Sequence, residues 1–269
     1  MENSNVSQEK DNGSSQTNEP TQKLSDVKLE NEVMALNVMV SFLAQAQKRG
    51  AFSLVGGGDS VSAVKKFGFE NQMVWHNDSE IPKSDLIVLP GGFSYGDYLR
   101  CGSIAGKSRI IKSVIDFANS GGLVLGICNG FQILTETGLL PGILQQNKYL
   151  NFICKNVFVK IKNKENKYFK KIKKEVLELH IAHNEGNYFC SNDELKSIED
   201  NGQIAVTYCD HKGNDDEKNN PNGALKNIAG IFNKDKNILG MMPHPERMID
   251  PFLSGEDGSL FFENLIESL

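Results

Sequence analysis

Cys128 has the sequence surroundings of a reactive thiol. It lies in Gly126-Ile127-Cys128-Asn129-Gly130, between an apolar segment that predicts a strand and an apolar segment that predicts a helix. Glycines two residues to either side indicate a nucleophile elbow, because the sharp turn leaves no room there for larger side chains. The start of the helix should also lower the pKa of the thiol and favour the thiolate. The pattern predicts a nucleophile but leaves its reaction open.

His244 and Glu246 could supply the base that a cysteine nucleophile needs and the group that orients this base. Both lie in Pro243-His244-Pro245-Glu246, directly after a segment that predicts a strand. The two prolines favour extended backbone, in which residues two apart point to the same side. We therefore expect Glu246 to fix the tautomer of His244 while the other ring nitrogen faces Cys128.

Gly91 and Gly92 follow residues 85–90, a continuous apolar run that predicts a strand buried on both faces. Attack on an amide carbonyl builds negative charge on oxygen, which N–H donors must stabilise. We expect the backbone amides of Gly91, Gly92 and Asn129 to serve as these donors. Residues 93–98 mix aromatic residues with glycine and aspartate and are predicted to form a binding loop over the site.

The other cysteines and histidines have no comparable context. Five cysteines at irregular spacings favour free thiols in a reducing compartment over a disulfide framework. Four are expected to be buried as small hydrophobic residues, namely Cys101, Cys154, Cys190 and Cys209. Three histidines are expected to be solvated or capping residues, namely His76, His180 and His211. Without a Cys-x-x-Cys pair, no metal site is predicted.

Strands and helices alternate through the first half of the chain. Strands are predicted at 51–55, 72–75, 85–90 and 123–127, with one long helix at 103–119. This alternation is typical of a doubly wound parallel α/β sheet. Later extended segments should add antiparallel strands before a final helix at 258–269, and they lie at 151–161, 178–182, 204–209, 228–232 and 238–241. Residues 160–174 contain eight lysines and are predicted to be a solvated loop or helix face.

The bulk composition is that of an ordinary globular protein. The 269 residues are 39% hydrophobic and 23% charged. A formal charge of −5 gives no electrostatic reason to expect nucleic-acid binding. Since no apolar run reaches the roughly 20 residues of a membrane span and the start does not read as a secretory signal, we predict a cytoplasmic protein.

Four motifs together resemble those of one known family. They are Pro90-Gly91-Gly92-Phe93-Ser94-Tyr95-Gly96-Asp97, Gly126-Ile127-Cys128-Asn129-Gly130-Phe131-Gln132, Asn220-Pro221-Asn222-Gly223 and Pro243-His244-Pro245-Glu246-Arg247. The family is the glutaminase subunit of phosphoribosylformylglycinamidine synthase, among the class I (triad) glutamine amidotransferases. The resemblance runs from about residue 73 to the C-terminus. It implies a flavodoxin-like doubly wound parallel sheet with added antiparallel strands.

The resemblance also implies a reaction. Glutamine would be hydrolysed through a thioester on Cys128, with His244 as acid and base, Glu246 as its orienting group and Gln132 in contact with the substrate. Ammonia would pass to a separate synthetase subunit that uses ATP and magnesium in purine biosynthesis, with a small third subunit bridging the two. No cofactor is expected on this chain. The segment His183-Asn184-Glu185-Gly186 resembles a family segment near the site, but no role is assigned to it.

The first part of the chain departs from the family pattern. We predict a disordered tail at 1–32, an atypical helix and strand–loop–helix unit at 33–72, and the amidotransferase domain at 73–269. A Pro-Gly-Ser-Asn-Cys-type loop that normally opens the family is absent. Residues 49–68 instead look like the C-terminal nucleotide-binding strand–loop–helix of phosphoglycerate kinase. We expect this unit to fill the first strand and helix positions of the sheet without kinase activity.

Two alternatives to a glutaminase subunit follow from these observations. An altered first unit could leave a catalytically impaired module that only binds the synthetase. The same fold could also carry a stand-alone thiol hydrolase, although the loop at 93–98 disfavours this reading.

Overall fold

The computed structural model describes residues 53–56, 72–92, 100–248 and 255–268. Its strands are β1 Ser53–Gly56, β2 Gln72–Val74, β3 Leu86–Leu89, β4 Leu123–Ile127, β5 Ile143–Gln145, β6 Ile153–Ile161, β7 Val176–His183, β8 Asn187–Phe189, β9 Ile204–Cys209, β10 Ile228–Phe232 and β11 Ile238–Met241. Its α-helices are α1 Cys101–Ala105, α2 Ile111–Asn119, α3 Asn129–Glu136, α4 Asn192–Asp200 and α5 Asp257–Ser268. Single 3-10 turns form at Glu217–Asn219, Leu225–Asn227 and Pro245–Arg247.

Nine of the described strands form one mixed sheet in the order β2-β1-β3-β4-β11-β10-β9-β6-β7, and β5 pairs with β8 separately. The first five strands in this order run parallel, and the pairs from β11 to β7 are antiparallel. The predicted fold class, a doubly wound parallel sheet with added antiparallel strands, is therefore confirmed.

The middle of the parallel half positions three loops at one edge. Strand β4 is buried along its whole length and pairs with β3 on one side and β11 on the other. The register aligns Leu89 with Gly126, and Ile127 with Met241. The segments that follow β3, β4 and β11 consequently leave the sheet side by side, at the edge where open α/β folds bind ligands.

Within the predicted atypical unit at residues 33–72, the structure describes the strand. Strand β1 lies between β2 and β3 and runs parallel to both, as expected for a first strand at residues 51–55. The predicted disordered tail at 1–32 lies outside the described residues. So do the loop at 93–98 and most of the atypical unit at 33–72, including nearly all of the kinase-like stretch at 49–68. The predicted division of the chain stays a prediction.

Three local features differ from the predictions. The predicted helix at 103–119 is two helices, because Gly106 ends α1 and a run of turns precedes α2. The lysine-rich stretch is not simply a solvated face, since its apolar residues Tyr168, Phe169 and Ile172 are buried in the core. Helix α4 was not predicted, although Ser191 and Glu194 form a capping box at its start.

No helix in the described ranges is both long and apolar enough to cross a membrane.

Tyr168 fixes the lysine-rich stretch to the parallel half of the sheet. Its ring is fully buried, and its hydroxyl oxygen lies 2.9 Å from Val124 O and 2.7 Å from Asn237 O. Burial raises the pKa of this phenol well above its usual value, so the hydroxyl remains a donor. The hydroxyl of Tyr168 thereby links β4 to Asn237, the residue that precedes β11.

Replacing Tyr168 with phenylalanine should lower the free energy of unfolding by about 1–2 kcal/mol, because a buried hydrogen bond is lost while its carbonyl partners stay buried. Urea unfolding followed by circular dichroism measures the change. Tyr149→Phe is the matched control, since Tyr149 is 74% exposed and its hydroxyl should matter little. Equal stability of the two variants would contradict this role of Tyr168.

Candidate active site

Cys128 occupies a strained turn between β4 and α3. Its φ of 51° and ψ of −105° are unfavourable for a residue with a side chain. The turn is held because the Cys128 N–H donates to Met241 O at 2.9 Å and Cys128 O accepts from the Gln132 N–H at 3.1 Å. The side chain is 4% exposed, with Sγ 3.9 Å from Ala182 O.

The two glycines around Cys128 are sterically required, as the sequence predicted. A β-carbon added at Gly130 would overlap the backbone carbonyl oxygen of Leu89. One added at Gly126 would lie 2.5 Å from Leu134 Cδ1 and 2.7 Å from the Gly130 carbonyl carbon. The elbow is therefore a close approach of β3, β4 and α3, which larger residues would push apart.

Gly91 lies against both Cys128 and His244. A β-carbon at Gly91 would be 3.2 Å from Cys128 Cβ and 2.6 Å from His244 Cε1. These three residues follow β3, β4 and β11, so the sheet register brings them together. Gly92 has a φ of +146°, and a β-carbon there would meet no atom of the described residues within 4 Å. Gly91 thus forms a wall of the site.

His244 and Glu246 form a hydrogen-bonded pair. His244 Nδ1 lies 2.5 Å from Glu246 Oε1, and the imidazole is 1% exposed. Burial alone would raise the pKa of Glu246, but His244 and Arg247 outweigh burial and hold that pKa below its usual value. Because the carboxylate only accepts, the proton of His244 belongs on Nδ1, and its buried Nε2 has no hydrogen-bond partner among the described residues.

The backbone that brings this pair together is not the predicted extended one. His244 itself forms a bridge with β7, donating its N–H to His180 O at 2.7 Å. Pro245–Arg247 then forms a 3-10 turn, closed by the Arg247 N–H donating to His244 O at 3.2 Å. Proline suits the first position of such a turn, and the turn folds Glu246 back onto the ring.

Asn129 and Gln132 lie in the first turn of α3, and both are buried. Asn129 is the first residue of the helix, where the backbone N–H has no acceptor within the helix. Its side-chain amide donates to Gln132 Oε1 at 2.7 Å, and Gln132 Nε2 donates to Glu185 O at 2.9 Å. Gln132 therefore links the elbow helix to the segment that follows β7.

His183 belongs to the same region, and the sequence gave it no role. Its Nδ1 lies 3.0 Å from Asn147 Oδ1, and Asn147 Nδ2 donates to His183 O at 2.9 Å. Gly186 packs against the imidazole so closely that a β-carbon there would collide with the ring. Asn222 Nδ2 donates to Gly186 O at 2.7 Å. The buried side chains of Asn147 and Asn222 thus fix the segment at 183–186. The sequence motif at 220–223 did not by itself reveal this role of Asn222.

Burial, and secondarily the nearby His244, lower the pKa of His183 to about 3. The imidazole is therefore neutral at physiological pH. His180 was expected to be a solvated or capping residue, but it is half-buried, and its side chain bonds to Asn156.

No group of three or more His, Cys, Asp or Glu side chains that could hold a metal ion occurs in the part of the chain that the structure describes.

The chain is similar to known proteins in sequence and in fold. Residues 56–255 match the CobB/CobQ-like glutamine amidotransferase domain. Subunit PurQ of phosphoribosylformylglycinamidine synthase from Pelagibacter ubique is 72% identical over 207 residues, which cover 77% of this chain and 91% of the relative. The same subunit from Sulfurimonas denitrificans is 45% identical over 78% of this chain and 93% of its own length.

A solved structure agrees with these matches. The structure of PurLQS from Thermotoga maritima contains a chain that is 35% identical, with a TM-score of 0.67, over 81% of this chain and 98% of its own. The fold and the cysteine elbow thus define a glutamine amidotransferase of class I. More particularly, the chain belongs to the PurQ family, the glutaminase subunits of phosphoribosylformylglycinamidine synthase.

The low pKa of His183 predicts a pH-dependent stability. In the unfolded chain a histidine takes up its proton near pH 6.5, whereas native His183 does so only near pH 3. Between these values the unfolded state binds more protons, so the free energy of unfolding falls as the pH is lowered. The slope from this residue is at most about 1.4 kcal/mol per pH unit.

Urea unfolding between about pH 7 and pH 5 tests this. His183→Asn should have a shallower pH dependence than the parent, and His211→Asn, at an exposed histidine, should not. Parallel curves for the parent and His183→Asn would mean that native His183 carries a proton in this range.

Proposed function

We propose that this chain hydrolyses glutamine and supplies the ammonia to the synthetase subunit of phosphoribosylformylglycinamidine synthase in purine biosynthesis. One observation carries the assignment of residues: Gly91 lies against both Cys128 and His244, and His244 is paired with Glu246. A thiol, a base and an orienting carboxylate are thereby gathered at the ligand-binding edge of the sheet.

In the proposed reaction, His244 Nε2 accepts the thiol proton while Cys128 Sγ attacks the side-chain amide carbon of glutamine. His244 then donates this proton to the leaving nitrogen, which departs as ammonia and leaves a thioester on Cys128. Water, deprotonated by His244, hydrolyses the thioester to glutamate. Glu246 stays ionised throughout, keeps the Nδ1–H tautomer and stabilises the imidazolium between the proton transfers.

The negative charge of the tetrahedral intermediate needs donors close to the elbow. We assign this role to the backbone amides of Gly91, Gly92 and Asn129. Gly91 follows β3 and Asn129 begins α3, so donors can approach the substrate oxygen from two sides. We assign to Gln132 a role in shaping the glutamine site, because its buried amide joins α3 to Glu185.

The partner assignment rests on the family. The Thermotoga maritima relative was solved as PurLQS, which supports a synthetase subunit and a small bridging subunit as partners of this chain. In this proposal ATP and magnesium belong to the synthetase subunit, and this chain carries no cofactor. A cytoplasmic location is proposed with it, in keeping with the free thiols of Cys128, Cys154, Cys190 and Cys209.

Replacing Cys128 with alanine should abolish glutamine-dependent amidine formation and leave ammonia-dependent formation intact, because only the thioester chemistry is lost. The assay combines this chain with a split-type synthetase and its bridging subunit, with glutamine or ammonia as the nitrogen source. Cys190→Ala, at another buried cysteine, is the matched control and should keep both activities. Glutamine-dependent product from Cys128→Ala would exclude the thioester, and a parent chain active only with ammonia would favour an impaired binding module.

His244 and Glu246 should differ in their effect on kcat. His244→Ala removes the base and should lower the glutaminase kcat by roughly 10³-fold or more. Glu246→Gln keeps a polar partner for Nδ1 but loses the charge that supports the imidazolium, so a smaller loss of roughly 10- to 100-fold is expected. Glutamate release measures both. If the glutamate variant were the more damaged of the two, the proposed division of roles would be wrong.

A further inference from the structure

The outward face of the β6–β7 hairpin carries a second cysteine with a histidine beside it. Asn156 and His180 are directly paired across the two strands, and Cys154 lies two residues before Asn156 on the same face. Cys154 Sγ is 3.4 Å from His180 Nε2, and His180 Nδ1 is 2.9 Å from Asn156 Oδ1. The expectation that Cys154 is buried is wrong, because this position of β6 faces outward and the thiol is exposed.

The proton positions in this cluster follow from one carboxylate. Asn156 Nδ2 donates to Glu178 Oε1 at 3.2 Å, since a carboxylate can only accept. The carbonyl oxygen of Asn156 therefore faces His180 and accepts the Nδ1–H. This leaves His180 Nε2 without a proton, so its lone pair points at the thiol of Cys154. Glu178 thus fixes the tautomer of His180 through Asn156.

We propose that Cys154 is a thiol–disulfide exchange site for small-molecule disulfides, with His180 as its proton acceptor and Asn156 as the residue that positions His180. In the exchange, Cys154 Sγ attacks one sulfur of the disulfide, the S–S bond breaks, and a mixed disulfide forms on the protein. The thiol proton passes to His180 Nε2 and then to the departing thiolate. Cys154 is oxidised, and the departing sulfur is reduced to a thiol.

His180 is unprotonated before the exchange, and as a weak base it can hold the thiol proton only while the S–S bond breaks. Burial, then the neighbouring Arg247 and His244, lower its pKa to about 4. At neutral pH, therefore, the lone pair on Nε2 is available to the thiol. The same low pKa makes the imidazolium short-lived, which favours passing the proton on to the leaving thiolate.

The structure also predicts selectivity among the thiols. Cys190 and Cys209 are buried, and burial raises the pKa of both, to about 11 for Cys209. A disulfide reagent cannot reach them without opening the core, and their thiols stay protonated. Cys128 is also buried, at 4% exposure. Cys154 combines exposure with a bonded base, so it should react before these three.

Exchange should be measured on the full-length chain carrying Cys101→Ser and Cys128→Ala, with oxidised glutathione as the probe. Intact mass and peptide mapping follow the formation of the mixed disulfide. We expect one glutathione on Cys154, and at least about a tenfold slower reaction after His180→Ala. Asn156→Leu should also slow the reaction, because the imidazole loses its fixed tautomer. His211→Ala and Lys155→Ala, at exposed positions outside the cluster, should leave the rate unchanged.

Added imidazole separates base catalysis from a structural effect. If His180 accepts the proton, imidazole in the buffer should restore much of the rate of the His180→Ala chain and change the parent little. Equal rates with and without His180 would overturn the proposal. So would a slow His180→Ala chain that imidazole does not rescue, or glutathione found mainly on Cys190 or Cys209. Since Cys128 is absent from every chain tested, these outcomes do not depend on the glutaminase reaction.

Discussion

The backbone of Cys128 is held at a positive φ that costs a side-chain-bearing residue about 1–3 kcal/mol. Nothing local favours it, so the surrounding packing must impose it. Strand β11 accepts the Cys128 N–H, and the missing side chains of Gly126 and Gly130 allow Leu134 and Leu89 to close around the turn. The orientation of the thiol thus depends on the whole parallel half of the sheet. Loss of any contact that holds this turn would loosen the site as well.

The three histidines around the site have different partners. His180 and His183 each bond to an asparagine oxygen, whereas His244 bonds to the carboxylate of Glu246. A neutral amide gives an imidazolium little support, and burial disfavours the charge further. Of these three, His244 is therefore the one whose partner can stabilise a lasting positive charge, whereas His180 would hold a proton only briefly during exchange at Cys154. At physiological pH His180 and His183 are neutral, which avoids electrostatic repulsion with His244.

Features written in short stretches of sequence could be predicted, and those that depend on contacts between distant segments could not. The apolar runs of β4, β9, β10 and β11 fixed their bounds, and the glycines around Cys128 identified the elbow. The 3-10 turn at Pro245 was missed because proline suits both extended chain and the start of a turn. The burial of Asn147 became visible only once β7 supplied its partners, and the exposure of Cys154 depends on which face of the hairpin is covered.

Strand β7 is the last strand of the described sheet, and its outer edge is occupied by the site itself. His180 O accepts the backbone N–H of His244, and Ala182 O lies beside the thiol of Cys128. An uncovered edge strand is a template for pairing with another molecule. Cys128 and His244 thereby also shield the edge of β7 from intermolecular β-pairing. A change that detaches the His244 segment from β7 would therefore make the protein prone to aggregate as well as inactive.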